Sequence, residues 1–199
     1  MSIRPIFFDL ETTGTFPQKD RIVEIAALDP VNNRTFQQLI NPGIPIPDDA
    51  MRIHGITNEM VREAPAFDVV ARDFLAFTAG EVMLVAHNGE LFDLPFLQAE
   101  FKRHSVAFSS DWIFVDSLKW ARKYRKDLPR HALQFLRQQF GIPANNAHRA
   151  LDDVIVLHEV FKLLTDDLSC EEVLERIDGI TITPAVVKEK EGMYARELF

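Results

Sequence analysis

Apolar positions along the chain change their period several times, and each change marks an element. Ile3, Ile6, Phe7 and Phe8 form a short run over residues 3–9, closed by Thr12, Thr13 and Gly14. That is the pattern of a buried strand and its turn. Residues 22–28 and 34–40 alternate in part, as half-covered strands do. The Pro-rich stretch 41–48 predicts a loop, and residues 57–61 a short helix with Thr57 as its cap. Phe67, Val70, Ala71, Phe74 and Leu75 recur at three and four, which predicts a helix over 67–79. A buried strand follows over 81–86, then a helix over 91–103 whose Pro95 suits a first turn. A strand over 112–115 precedes helices over 117–125, 131–140 and 149–164. Gly141 and Pro143 close the second of these helices. Strands first, then strand–helix alternation, predict an α/β fold with a mixed sheet.

From residue 166 the pattern changes. Nine acids stand against four bases over residues 166–199. One more amphipathic helix (170–177) and a short β piece (180–187) are expected there. The division is a domain over 1–165 and an acidic C-terminal extension over 166–199. The 199 residues suit one domain with a substantial core. No apolar run approaches the roughly 18 residues of a membrane helix, and the start of the chain does not read as a signal peptide. Cys170 is the only cysteine, which fits a reducing, cytoplasmic setting. A net charge of −8 argues against bulk attraction to nucleic acid. It leaves room for a local basic track beside a metal-loaded pocket.

Candidate chemistry begins at Asp9 and Glu11. On a strand, residues two apart share a face, so both carboxylates aim at one spot beside the core. Like charges held that close repel unless a cation sits between them. A divalent site with hard oxygen ligands is the economical reading; a strand end turning acidic at solvent is the alternative. Asp93 follows a strand that ends at His87, Asn88 and Gly89, and lies in a first helical turn that favours an anion. His87 and Asn88 either contact substrate or hold the turn. At the third site His148 precedes Asp152 and Asp153. From Asp153 the positions at three, four, seven and eight onward are Val156, Leu157, Val160 and Phe161. Asp153 therefore lies on the buried stripe and Asp152 faces out.

These three segments, Phe8-Asp-Leu-Glu-Thr-Thr-Gly14, His87-Asn-Gly-Glu-Leu-Phe-Asp93 and His148-Arg-Ala-Leu-Asp-Asp153, resemble the DEDDh, or DnaQ-like, 3′→5′ exonucleases. The likeness spans about residues 3–165 with the motif order kept. It implies an RNase H-like mixed central sheet flanked by helices. It also implies two-metal hydrolysis of DNA 3′ ends in proofreading or repair. Asp9, Glu11, Asp93 and Asp153 would hold two magnesium (or manganese) ions about 3.5–4 Å apart, with His148 as general base. In the family the last motif runs from the His to an Asp five positions on, which again selects Asp153. A tyrosine-type relative would carry Tyr where Arg149 stands. Thr12, Thr13, Asn88 and Phe92 are the candidates for holding the terminal nucleotide, by backbone contact, polar side chain or stacking.

Two departures stand out. Asp93 is six positions after His87 where many members have five, a spacing most like the three-prime repair exonucleases. Thr15 follows Gly14 where many relatives carry a larger apolar wedge, a role open to Phe16. The segment Arg52-Ile-His-Gly-Ile-Thr57 looks like the family's His-Gly-Ile-Thr loop, with His54 either near the pocket or holding a turn. Lys119, Arg122, Lys123, Arg125, Lys126, Arg130 and Arg137 cluster against Asp127 alone. They read as a phosphate track or as a solvated helix face. The partners implied are single-stranded or frayed 3′ ends of DNA. RNA ends of the oligoribonuclease or RNase T type, and a docking role on a DNA polymerase, are the alternatives. The family includes both homodimers and monomers.

Overall fold

The computed structural model describes residues 3–143 and 149–176 and the backbone of 181–182. Three strands open the chain: β1 (Arg4–Thr12), β2 (Ile22–Asp29) and β3 (Arg34–Leu39). Helices α1 (Asp48–His54), α2 (Asn58–Val61) and α3 (Phe67–Phe77) lead to β4 (Val82–Ala86). Then come α4 (Asp93–Arg103), β5 (Trp112–Asp116), α5 (Ser117–Tyr124), α6 (Leu133–Gln139) and α7 (Ala150–Thr165). The last described elements are α8 (Cys170–Glu175) and β6 (Thr181–Ile182). One sheet holds the six strands of the described residues in the order β3-β2-β1-β4-β5-β6. β1 runs antiparallel to β2 and parallel to β4, and β4 parallel to β5. The expected α/β class with a mixed sheet is therefore the observed one.

The pleat of β1 divides the core. Ile6, Phe8 and Leu10 point to the side covered by α3 and α4, where they meet Phe74, Phe101 and Trp112. Phe7 points the other way, to Val154, Leu157 and Phe161 of α7. The Phe7 and Phe161 rings meet edge to face at 5.7 Å. β4 is buried along its whole length, which is why its sequence is a continuous apolar run rather than an alternating one. Among the described residues no helix is long and apolar enough to cross a membrane.

Several expected elements need adjusting. Residues 48–54 form α1, where the sequence suggested only the end of a loop. Pro47 enters the helix with φ −63°, Asp48 and Asp49 occupy the first turn, and Gly55 closes it at φ 73°. The proline-rich approach hides this short helix, and Ala50 and His54 anchor it by burial. β1 continues to Thr12, so Thr12 belongs to the strand and not to its turn; the pairing with β2 becomes irregular between Glu11 and Thr12. α8 begins where expected, with Ser169 and Glu172 forming a reciprocal cap, and buries Val173 beneath α7. Of the expected β piece over 180–187, Thr181 and Ile182 pair with Val115 and Phe114. The remainder lies outside the described residues.

Candidate active site

Asp9 and Glu11 leave β1 on the face that Phe7 turns toward α7. That face continues to the start of α7, so the first turn of α7 comes down over the two carboxylates. The residue it delivers is Asp153. One oxygen each from Asp9, Glu11 and Asp153 lies within 4.8 Å of the others. Asp153 is buried and Asp152 only half-buried, as the apolar stripe required. Asp93 follows the end of β4, at the start of α4. Because β4 is parallel to β1, both strands end at the same edge of the sheet, the edge where α/β sheets bind ligands. Asp93 opens α4 and is 2% exposed. Its Oδ1 is buried with no hydrogen-bond partner among the described residues. Gly89 permits this close turn, since a Cβ there would meet the Ala86 Cβ at 2.6 Å.

The electrostatics are those of acids forced together. Burial, then the charges of Asp93, Glu11, Asp153 and Glu24, push the Asp9 carboxyl well above the usual range. Asp9 remains only half-buried by area, so its neighbours reinforce what burial begins. Burial, Glu24, Asp153 and Asp93 push Glu11 up to about 8, with Arg149 opposing. Asp93 is pushed up to about 7, chiefly by burial, with Asp116 adding to it. A set of hard oxygen donors that repel one another, one of them orphaned, fits a divalent cation of the magnesium or manganese kind.

Around this group the chain is braced. The ring of His87 bridges the Ser117 hydroxyl (Nδ1, 2.8 Å) and the His131 carbonyl (Nε2, 2.9 Å). Nε2 faces a carbonyl and so carries the proton; burial pushes the ring's pKa down to about 4. His87 therefore holds the turn. Asn88 takes a positive φ of 68° and is half-buried. The Thr12 hydroxyl donates to the Gly14 carbonyl at 2.6 Å, and the Thr13 hydroxyl accepts from Arg21 N–H at 3.0 Å. Both hydroxyls thus serve the fold. Phe92 packs on Phe96 at 5.0 Å between centroids. Phe16 and Leu91 are 65% and 67% exposed, on loops leaving this same edge. His54 Nδ1 accepts from Ile56 N–H at 3.0 Å and so holds its own turn. His148 lies outside the described residues.

Three polar residues beside the carboxylates were not singled out in the sequence. Glu24 is fully buried opposite Glu11 and accepts from Gln37, Arg149 and Ala150 N–H. A lone acid inside the apolar run of residues 22–28 was its only signal. Asp116 caps α5 and also accepts from Asn88 and Glu90 N–H at 3.0 and 3.2 Å. An Asp between a strand and a helix announces such a cap. Gln134 donates to Asp153 at 2.9 Å, and nothing in the sequence points to that contact. A cleft of about 370 Å³, lined by Ile22, Phe67, Glu100 and His104 among others, lies on the α3–α4 side. Asp9, Glu11 and Asp153 lie on the other, with Phe7 and α7.

A family model described as RNase T, exonuclease, matches residues 6–161. The chain belongs to this exonuclease family. As a DnaQ-like exonuclease it is a nuclease, with the RNase H-like sheet expected of one. A chloroplastic/mitochondrial exonuclease, DPD1, of Arabidopsis thaliana is 38% identical over 94% of this chain, which spans 65% of that relative's length. A DNA polymerase III subunit epsilon of Rickettsia prowazekii is 37% identical, covering 82% of this chain and 75% of its own. Exonuclease I of E. coli shares the fold, with a TM-score of 0.73 at 24% identity over 88% of this chain and 43% of its own.

Proposed function

We propose that this exonuclease removes nucleoside 5′-monophosphates from the 3′ ends of DNA, in proofreading or repair. The observation that carries the reading is the convergence of Asp9, Glu11 and Asp153 within 4.8 Å. Asp93 stands close enough to raise both β1 acids. These four carboxylates would hold two magnesium or manganese ions, whose chemistry when bound is Lewis-acid stabilisation of the phosphoryl and leaving oxygens. His148, five positions before Asp153, is assigned as general base. It takes a proton from the attacking water as the new P–O bond forms. The P–O3′ bond breaks, its electron pair leaves with the 3′ oxygen, and protonation from solvent gives the new terminal hydroxyl.

Thr12 and Thr13 would meet the terminal nucleotide through backbone groups, their hydroxyls being engaged. Asn88 offers a polar side chain at the mouth. Phe16 and Leu91 offer exposed apolar surface for a base to stack on, better placed for this than the half-buried Phe92. The relative named as a polymerase III subunit supports DNA as substrate and a polymerase as partner.

The test is digestion of matched 5′-labelled single-stranded DNA and RNA with magnesium, beside Asp9→Ala. A ladder shortening from the 3′ end of DNA, absent from the variant, is expected. A preference for RNA would move the function to RNA trimming, and no cleavage of either would refute the nuclease reading.

A further inference from the structure

Next to the carboxylate group, α6 carries a short relay of side chains. Gln134 is half-buried in the first turn of this helix. Its Nε2 donates to Asp153 Oδ1 at 2.9 Å. Its Oε1 accepts from Arg137 Nε at 2.8 Å. Arg137 Nη1 in turn donates to the Ile142 carbonyl at 2.9 Å. The chemistry of the ends fixes the middle. A guanidinium only donates and a carboxylate oxygen accepts, so only one orientation of the amide makes both bonds. Arg137 is itself tied to backbone, so the amide cannot turn without breaking a charge-assisted bond.

We infer that Gln134, held by Arg137, is a positioning residue that fixes Asp153 and thereby sets the affinity of the carboxylate group for its divalent cation. The inference rests on the metal-dependent reading of that group. Asp153 stands in a crowd of acids, where repulsion from Asp9 and Glu11 favours any rotamer that swings it away. A hydrogen bond to one of its oxygens opposes that swing. The donor is neutral, which suits the place. A lysine there would compete with the cation for the carboxylate, whereas an amide orients it and leaves the charge of the site unchanged. Partners of this kind commonly set metal affinity by about 10–100-fold. The same geometry takes Arg137 out of the basic cluster read from the sequence, because its guanidinium is turned toward Gln134 and Ile142.

The experiment is Mn²⁺ binding to the full chain, followed by electron paramagnetic resonance of the free ion, for wild type, Gln134→Met and Arg137→Met. Both substitutions keep much of the side-chain volume and remove the polar end. Melting in chelator is recorded alongside. The dissociation constant for Mn²⁺ is expected to rise about 10–100-fold in Gln134→Met, and less in Arg137→Met, with melting in chelator near wild type. A constant within about twofold of wild type for folded Gln134→Met would overturn the inference. Should that variant not fold, Arg137→Met decides by the same twofold limit. A wild-type chain that binds no Mn²⁺ defeats the metal reading itself, and so is distinguishable from failure of the relay.

Discussion

Glu11 and Glu24 face each other across β1 and β2, both buried, a pairing that opposes folding when both are charged. Raised acid pKa values have a definite sign in stability. Glu11 at about 8 and Asp93 at about 7 lie above their unfolded values of about 4.3 and 3.9. Their contribution is complete below the unfolded values and is lost as pH rises through the folded ones. His87, pushed to about 4, works in the opposite sense only below its unfolded value of about 6.5. Between about pH 6.5 and about 8.5 the acids therefore dominate. In chelator the melting temperature is expected to fall across that window, and magnesium to raise it most at the upper end. Calorimetry at both ends checks this; a melting temperature that climbs with pH in chelator would sink it. At this scale the sequence was most legible where chemistry repeats a spacing. Asp9 and Glu11 follow the strand period, and Asp153 follows an apolar stripe. Glu24 and Gln134 escaped because their contacts join segments far apart in sequence, and no local pattern encodes them.

Strand ends do the positioning, and Asp116 shows how. At the end of β5, its carboxylate accepts from Leu118 and Lys119 in α5, and from Asn88 and Glu90 in the loop before Asp93. One side chain caps a helix and fastens the loop that delivers a carboxylate. Asp116→Ala is expected to cost about 1–2 kcal/mol from the lost cap. It should also lower the nuclease rate roughly tenfold to a hundredfold by loosening Asp93. Urea unfolding and single-turnover assays measure the two effects. A full stability loss with an unchanged rate would show that the loop holds without it. The central elements were legible for two reasons: β1 and β4 are apolar runs buried on both faces, and α3 and α7 carry a helical apolar period. α1 was not, since seven residues are too few to display a period and a proline-rich stretch leads into them.

Across the whole molecule, an acidic chain has to admit a polyanion. The fold sorts the basic cluster by occupation. Lys119 pairs with Glu90, Arg125 with Asp127, and Lys123 reaches the Arg176 carbonyl. Arg122, Lys126 and Arg130 are exposed and are the better candidates for the phosphate track. Replacing these three by Ala is expected to flatten the slope of log affinity against log salt on single-stranded DNA by about 2. An unchanged slope would return them to the role of a solvated face. The position of α7 carries a further consequence. Asp9 comes near the start of the chain, and Asp153 arrives only with the helix that closes the core over β1. On the ribosome the first carboxylates emerge long before the last. On the proposed mechanism, a nascent chain, or one cut ahead of α7, lacks Asp153 and so a member of the cluster, and would not cut nucleic acid. Activity would then wait on the closing of the fold.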